Sequence, residues 1–187
     1  MGTLRTFIAF DTPPAFKEAL AKVQRELRQT GADARWETTD KFHGTLKFLG
    51  DTEETLLATI SERIRLVVAE FGAMSLRFDK IGFFPNNRKP RVVWIGCTAQ
   101  PPVIVELKTG LDRALESLGY EVEPREFHAH ITLGRIKNDR GSEYLISRAE
   151  KINFEPFPVS ITEIQLMKST LKPSGSVYSL LQTFSLR

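Results

Sequence analysis

The sequence predicts an α+β fold of two similar lobes, with antiparallel or mixed sheet, helices on the outer faces and a central cleft. Three observations lead to this fold class. The four-residue motif His-x-Thr-Leu occurs at 43–46 and again at 130–133, 87 residues further on. Each copy follows a strand-like run and then a helix-like run that opens with two prolines, at 13–14 and at 101–102. The chain therefore contains two copies of one structural unit.

The sequence of the first unit, at approximately 5–84, predicts five elements in the order strand, helix, strand, helix and strand. Its first strand is the β-branched and aromatic run 5–11. Apolar residues then recur at helical spacing up to Gly31, and an extended segment follows. Asp51 and Glu54 have the spacing of a capping box, which predicts that the second helix begins directly after the extended segment.

The second unit, at approximately 92–167, repeats this order. A buried-type strand at 92–97 precedes the second pair of prolines and a helix, and a further helix is expected at about 141–151. One continuous strand closes each unit, and the segment 176–186 adds a final hairpin strand. No flexible linker separates the units, so we expect residues 1–187 to form one domain whose lobes pack tightly, with exchange of strands as one way to do so.

The composition limits the classes of function. The formal net charge of +3 and the pI near 9.1 allow an anionic partner such as RNA or a nucleotide without requiring one. Cys97 is the single cysteine, which excludes an internal disulfide and a cysteine-based metal cluster and favours a reducing compartment, so a cytoplasmic location is expected. The sequence contains no long apolar run and no signal-peptide pattern, and we expect no membrane span and no secretion. A monomer is the expected state.

The repeated motif places a histidine and a threonine on one face of each lobe. In a strand, residues two apart point to the same side, so His43 lies beside Thr45 and His130 beside Thr132, with the intervening residues and Phe48 on the opposite face. An unperturbed histidine has a pKa of about 6.5, so one imidazole can accept a proton while the other donates one. Two such pairs across a cleft predict acid–base catalysis of attack on phosphorus, with threonine hydroxyls binding the non-bridging oxygens and with no metal or cofactor.

Residues beside the motifs extend the candidate site. His128 and His130 share one face and have a possible metal-ligand spacing, so a metallohydrolase is an alternative, but the first motif has Lys41 where the second has His128. We predict instead that His128 contacts substrate, and that Lys47, on the His43 face, adds positive potential. Further candidates are two aromatic residues that stack on a base or pack in the core, and a basic turn that could guide an RNA backbone: Phe48 and Phe84, and Arg88, Lys89 and Arg91.

The paired motif and its surroundings resemble the two-histidine (2H) phosphoesterase superfamily, and within it the RNA 2',3'-cyclic phosphodiesterase branch, also called 2'-5' RNA ligase or LigT-like. The resemblance covers almost the whole chain and rests on "RTFIAFD", "FHGTLKFLG", "IGFFPNNRKPRVVWIG", "FHAHITLGR" and "IQLMKSTLKPSGSVYSLL". It implies hydrolysis of a 2',3'-cyclic phosphate at an RNA or nucleotide end to a 2'-phosphate, with ligation as a weaker, reversible activity. A non-catalytic nucleotide-binding or RNA-binding module with the same cleft is the alternative.

The resemblance also assigns roles to individual residues. It implies that His43 is the proton donor, that His130 is the proton acceptor that activates water, and that Thr45 and Thr132 hold the phosphate oxygens. Arg135 corresponds to a phosphate-binding arginine of the family. Strict strand alternation points Arg135 away from His130, so we expect it to reach the cleft only if the strand ends or twists near Gly134.

Overall fold

The computed structural model describes residues 2–173 and 175–187, and in these ranges it contains ten strands and four α-helices. Eight strands form one antiparallel sheet, and the other two form a small second sheet. The predicted α+β class is therefore confirmed. Over the same ranges, no helix has the length and apolar character needed to cross a membrane.

The element boundaries agree with most of the sequence-based expectations. The strands are β1 (Thr3–Asp11), β2 (Ala34–Trp36), β3 (His43–Glu53), β4 (Met74–Phe78), β5 (Lys80–Phe84), β6 (Val92–Gly96), β7 (His130–Ile136), β8 (Phe157–Ile161), β9 (Glu163–Lys172) and β10 (Gly175–Ser185). The helices are α1 (Pro14–Arg28), α2 (Leu57–Val68), α3 (Pro102–Glu116) and α4 (Ser142–Lys151).

The large sheet mixes strands from both sequence repeats. Its order is β10-β9-β1-β3-β7-β6-β5, with β2 added beside β7. Strand β9 of the second repeat pairs with β1 of the first, while β5 of the first repeat pairs with β6 of the second. The repeats have therefore exchanged their last strands. The strand expected at the end of each repeat is divided in two, into β4 and β5 in the first repeat and β8 and β9 in the second. The first parts, β4 and β8, pair with each other in the small sheet, whereas β5 and β9 lie at separate positions in the large sheet.

One face of the large sheet is apolar and packs against the helices. Ile8 and Phe10 of β1 and Ile131 of β7 are fully buried there, in a single cluster that includes residues from all four helices. The opposite face carries the polar residues of the repeated motifs. Burial of the apolar face therefore fixes which way the histidines and threonines point.

The two motif strands meet at one residue pair. Gly44 of β3 lies opposite Ile131 of β7, and these two strands share no other register pair. Further along β7, the short strand β2 takes the place of β3 as its neighbour, with Trp36 opposite Gly134. The strands β3 and β7 thus cross near their first residues and then separate, which leaves a cleft between the two halves of the sheet.

The predicted capping box at Asp51 and Glu54 is wrong. Strand β3 continues to Glu53, with Asp51 paired to Arg5 of β1, and a 3-10 turn at 54–56 precedes α2. No side-chain cap was found at this helix start. The continued ladder with β1 therefore determines where the strand ends, and the local capping pattern does not.

We predict that Gly44→Ala destabilises the protein by about 1–3 kcal/mol, the usual cost of overpacking a core. A Cβ at this position would lie 2.0 Å from the ring of the buried Phe10, where the two halves of the sheet cross. The measurement is the free energy of unfolding from denaturant titration. Gly72→Ala is the matched control, because its Cβ would meet only the Arg187 carbonyl oxygen at 3.7 Å. Equal stability of the two variants would contradict the prediction.

Candidate active site

The cleft holds a cavity of about 840 Å³ whose lining includes both copies of the repeated motif. The four motif residues His43, Thr45, His130 and Thr132 all border it. The predicted convergence of the two motifs on one cavity is therefore observed. The hydroxyl groups of Thr45 and Thr132 make no hydrogen bond within the described ranges, so both are available to a ligand.

His43 is held between aromatic rings at the start of β3. Its imidazole stacks on Phe7 with 5.1 Å between ring centroids, and the Tyr178 ring meets it edge-on at 5.2 Å. Burial lowers the pKa of His43 to about 4, although Asp11, its neighbour across the β1–β3 ladder, acts in the opposite direction. Lys17 lowers this pKa further, and the backbone carbonyl of Lys41 raises it by hydrogen bonding to the ring.

His130 has a similar environment built from other residues. Phe84 meets its ring edge-on at 4.9 Å, and Trp94 is tilted against it at 6.0 Å. Burial lowers the pKa of His130, and the charges of His128 and Arg135 act in the same direction. The Nδ1 atom lies 2.7 Å from the His128 carbonyl oxygen, which can only accept, so Nδ1 carries the proton in the neutral ring. The other ring nitrogen, Nε2, is then left with a lone pair.

A β-bulge at the same place in each motif changes the strand alternation. In β3, Thr45 and Lys47 face adjacent residues of β1, so Leu46 is the extra residue. In β7, Thr132 and Gly134 face adjacent residues of β6, so Leu133 is the extra residue. The bulges are equivalent in the two repeats, and each reverses the alternation of the residues that follow it.

The bulges correct two sequence-based expectations and explain a third. Phe48 was expected to lie opposite the cleft, but it borders the cavity with 69% of its surface exposed. Arg135, at the equivalent place in β7, also borders the cavity, and its side chain is 58% exposed. Strand β7 does not end near Gly134 but continues to Ile136, and the bulge at Leu133 is what brings Arg135 to the cleft.

Lys47 does not share the exposed face of His43. Its side chain is only 5% exposed, and Nζ donates to Asp112 Oδ1 and to the Glu121 carbonyl oxygen, both at 2.7 Å. Asp112 also pairs with Lys108. Lys47 borders the cavity, but its ammonium group links β3 to Asp112 of α3 and to the backbone of Glu121. The expectation that Lys47 offers its charge to substrate is therefore corrected, because the bulge turns its ammonium towards α3.

The other residues predicted around the motifs have different surroundings. His128 borders the cavity with its side chain 54% exposed, and its Nε2 lies 3.9 Å from Glu126. In the described ranges, no three His, Cys, Asp or Glu residues are grouped as ligands for a metal ion. Phe84 borders the cavity as well as contacting Trp94. The basic turn lies outside the cavity lining, and its Arg91 pairs with Asp139 at 2.7 Å.

Two cavity residues, Glu37 and Tyr178, were not predicted from the sequence. Tyr178 comes from the last strand, β10, and reaches His43 because β9 has crossed to the side of β1. Glu37 follows β2 and lies near both Lys41 and Arg135. No motif or periodicity distinguishes either residue, since both enter the site through pairing of strands that are far apart in the sequence.

The chain is similar to known proteins over almost its whole length. The family model described as LigT like Phosphoesterase matches the chain twice, at residues 10–94 and 95–178. The chain belongs to the LigT-like phosphoesterase family. This LigT-like chain is 33% identical to a protein of Methanocaldococcus jannaschii named RNA 2',3'-cyclic phosphodiesterase, over 96% of this chain and 99% of the relative. A protein of Thermotoga maritima with the same name is 31% identical, over 95% and 93% of the two chains.

The LigT-like fold is also found among solved structures. The protein TT0787 of Thermus thermophilus superposes with a TM-score of 0.81 at 26% sequence identity, over 98% of each chain. The overall fold described above is therefore similar to that of this solved structure.

We predict that His43 makes stability depend on pH below neutrality. The folded protein holds the pKa of His43 near 4, while the unfolded chain has the ordinary value of about 6.5. The unfolded state therefore binds more protons between these values, so the contribution is complete above pH 6.5 and is lost as the pH falls towards 4. His43→Gln should lose less stability than the wild type between about pH 7.5 and pH 5, as measured by chemical denaturation.

The control for this comparison is His128→Gln, because that side chain is more than half exposed. It should follow the wild-type dependence of stability on pH. A His43→Gln variant with the same loss of stability as the wild type would show that His43 is not held neutral by burial.

Proposed function

We propose that this protein hydrolyses 2',3'-cyclic phosphate ends of RNA or nucleotides to 2'-phosphomonoesters by paired-histidine acid–base catalysis, with reversible 2'-5' RNA ligation as a weaker second activity. The observation that carries the proposal is that two enclosed imidazoles, His43 and His130, border one cavity together with a threonine hydroxyl each. Relatives in Methanocaldococcus jannaschii and Thermotoga maritima, matched over almost their whole length, bear the name RNA 2',3'-cyclic phosphodiesterase.

In the proposed reaction, His130 acts first on water. Its Nε2 lone pair, left free by the Nδ1 bond to the His128 carbonyl, accepts a proton from the water while the water oxygen forms a bond to phosphorus. The bond between phosphorus and O3' breaks, and His43 gives its proton to the departing oxygen. The product carries a 2'-phosphate and a 3'-hydroxyl, and solvent returns the proton from one imidazole to the other.

The donor role of His43 requires a charged imidazole, whereas burial favours the neutral ring in the free protein. A bound phosphodiester supplies a negative charge beside the ring, and an opposite charge within about 4–6 Å raises the pKa of a histidine. Substrate thus brings the charge that allows His43 to hold its proton. The aromatic contacts of Phe7 and Tyr178 keep water away from the ring and strengthen this effect.

Thr45, Thr132 and Arg135 are proposed to bind the non-bridging phosphate oxygens. The two hydroxyls stand two residues from the two imidazoles on the same strands, and the guanidinium reaches the cavity through the bulge at Leu133. Donors arranged around the phosphate stabilise the charge that grows on these oxygens during attack. His128 and the exposed ring of Phe48 are proposed to contact the rest of the nucleotide.

We further propose that residues 1–187 form one two-lobed domain that acts as a monomer in the cytoplasm. The exchanged strands and the single apolar cluster that draws on all four helices support one domain. The location is supported by the single cysteine, Cys97, whose thiol is half-buried and has its pKa raised to about 11 by burial and by Asp79.

We predict that His43→Ala and His130→Ala each reduce turnover by about 10²–10⁴, the usual contribution of a general acid or base. The assay follows an RNA that ends in a 2',3'-cyclic phosphate, with EDTA present, and identifies the product by chromatography. The wild type should give the 2'-phosphate. Undiminished hydrolysis in both variants would contradict the mechanism, and a 3'-phosphate product would reverse the acid and base roles.

The same assay separates the two alternatives. A metallohydrolase built on His128 and His130 would be inactive in EDTA, regain activity with zinc and lose it in His128→Ala. A non-catalytic binding module would bind the cyclic end without any product from the wild-type protein. The paired-histidine mechanism requires full wild-type activity in EDTA.

We predict that Arg135→Ala lowers kcat/KM for the cyclic phosphate by about 10–100-fold, because a hydrogen bond to a charged group contributes about 1.5–3 kcal/mol. Arg135→Lys should restore only part of this, since an ammonium lacks the planar donor fork. Arg88→Ala is the control, as this residue lies in the exposed turn outside the cavity lining. An unchanged kcat/KM in Arg135→Ala would remove the arginine from the phosphate site.

A further inference from the structure

The cavity contains an acidic side chain where an anion-binding site has no evident use for one. Glu37 follows β2 and is fixed by its backbone: its N–H donates to the Leu133 carbonyl at 2.9 Å, and its own carbonyl accepts from Gln24 Nε2 at 2.7 Å. The same Gln24 amide also donates to the Leu133 carbonyl. The position of Glu37 is therefore tied to the bulge that places Arg135 in the cavity.

The Glu37 carboxylate lies near two cations of the cavity lining, Lys41 and Arg135. Oε1 is 3.8 Å from Arg135 Nε, and Oε2 is 3.7 Å from Lys41 Nζ. Both distances are too long for hydrogen bonds, so the carboxylate acts on these cations through charge and leaves their N–H donors to a ligand. The side chain of Glu37 is 16% exposed, which reduces the screening of its charge by water.

The charges around the motifs match a singly charged ligand. Lys41 and Arg135 supply two positive charges, Glu37 supplies one negative charge, and burial favours neutral rings for His43 and His130. These three side chains together carry one net positive charge. The other charged groups near the motifs form ion pairs of their own, Lys17 with Asp11 and both Lys47 and Lys108 with Asp112. A cyclic phosphodiester carries one negative charge, whereas a phosphomonoester carries about 1.5–2 near pH 7, because its second pKa is about 6.

We infer that Glu37 is a specificity-determining residue that disfavours the doubly charged phosphomonoester relative to the singly charged phosphodiester. The inference rests on the proposed function, in which the diester is the substrate and the monoester is the product. Hydrolysis adds a charge to the ligand, and repulsion by Glu37 then promotes release of the product. Without this carboxylate, two unopposed cations would retain the product and inhibit the next turnover.

The other acidic residues on the cavity lining do not have this position. Glu123 is on the exposed 121–126 segment, pairs with Arg125 at 2.8 Å, and has its pKa lowered chiefly by that hydrogen bond. Glu126 is also exposed and lies nearest His128. Glu37 alone, among the acidic residues of the described ranges, lies within ion-pair distance of Lys41 or Arg135.

The test compares two ligands that differ by one charge. A nucleoside 2'-monophosphate and its methyl phosphodiester are titrated into wild-type protein and Glu37→Gln at about pH 8, where the monoester is fully dianionic. Because the repulsion scales with ligand charge, removal of the carboxylate should tighten monoester binding about 10-fold and diester binding about 3-fold. Calorimetry measures both dissociation constants without any turnover.

A charge-balanced double variant separates charge from structure. Glu37→Gln combined with Lys41→Met again leaves one net positive charge, and it should restore the wild-type ratio of the two dissociation constants. Glu123→Gln, at the rim of the same cavity, should leave that ratio unchanged. Equal changes for both ligands in Glu37→Gln, or weaker monoester binding, would overturn the inference and leave Glu37 as a structural support of Arg135.

The two proposals fail in different ways. A wild-type protein that does not hydrolyse a 2',3'-cyclic nucleotide refutes the proposed function. The ratio of the monoester and diester dissociation constants would still test whether Glu37 selects ligands by their charge. Conversely, an active enzyme whose ratio is the same in wild type and Glu37→Gln refutes only the role of Glu37. In an active enzyme, Glu37→Gln should also show about 10-fold stronger inhibition by the 2'-monophosphate product, with a smaller change in KM.

Discussion

The crossing of β3 and β7 at a single residue pair is the constraint on which the rest of the site depends. Gly44 lies against the buried ring of Phe10 on the β1 side because it has no side chain, and on its other side it pairs with Ile131 of β7. Beyond the crossing the strands separate, and β2 fills the space beside β7. One shared residue pair and one divergence thus create the cleft that both motifs line.

The equivalent bulges separate each motif strand into two parts that direct different side chains to the cleft. Residues before the bulge place an imidazole and a hydroxyl in the cleft, while the bulged leucine stays in the core. Residues after it send Phe48 into the cleft from one repeat and Arg135 from the other. Backbone geometry is therefore shared between the halves, whereas the side chains delivered by that geometry differ, with an apolar ring on one side and a cation on the other. A pseudo-symmetric scaffold in this way offers chemically different groups from its two halves to one cavity.

Much of the fold could be predicted because the repeats carry strong local patterns. The helical spacing and paired prolines predicted α1 and α3, and the duplicated motif predicted the shared cavity. Strand alternation failed after Leu46 and Leu133, since a bulge leaves no distinctive residue type in the sequence, and Lys47 and Phe48 were misplaced for that reason. Equivalent residues of the two motif strands are 87 positions apart in the sequence. The strands beside them have a different spacing: Thr45 pairs with Ala9 of β1 and Thr132 pairs with Trp94 of β6, and 94 − 9 = 85. Glu37 and Tyr178 could not be predicted, because only long-range strand pairing brings them to the site.

The exchange of strands between the repeats has a consequence for how the chain is made. Strand β1 gains one neighbour when β3 emerges from the ribosome, but its other edge pairs with residues 165–168, which follow β3 by more than a hundred residues. Until then the nascent chain carries an apolar strand with an open hydrogen-bonding edge, which is a site for unwanted association. The duplicated unit is therefore not a unit of folding: β1, in the first copy, receives its second neighbour only from a strand of the second copy.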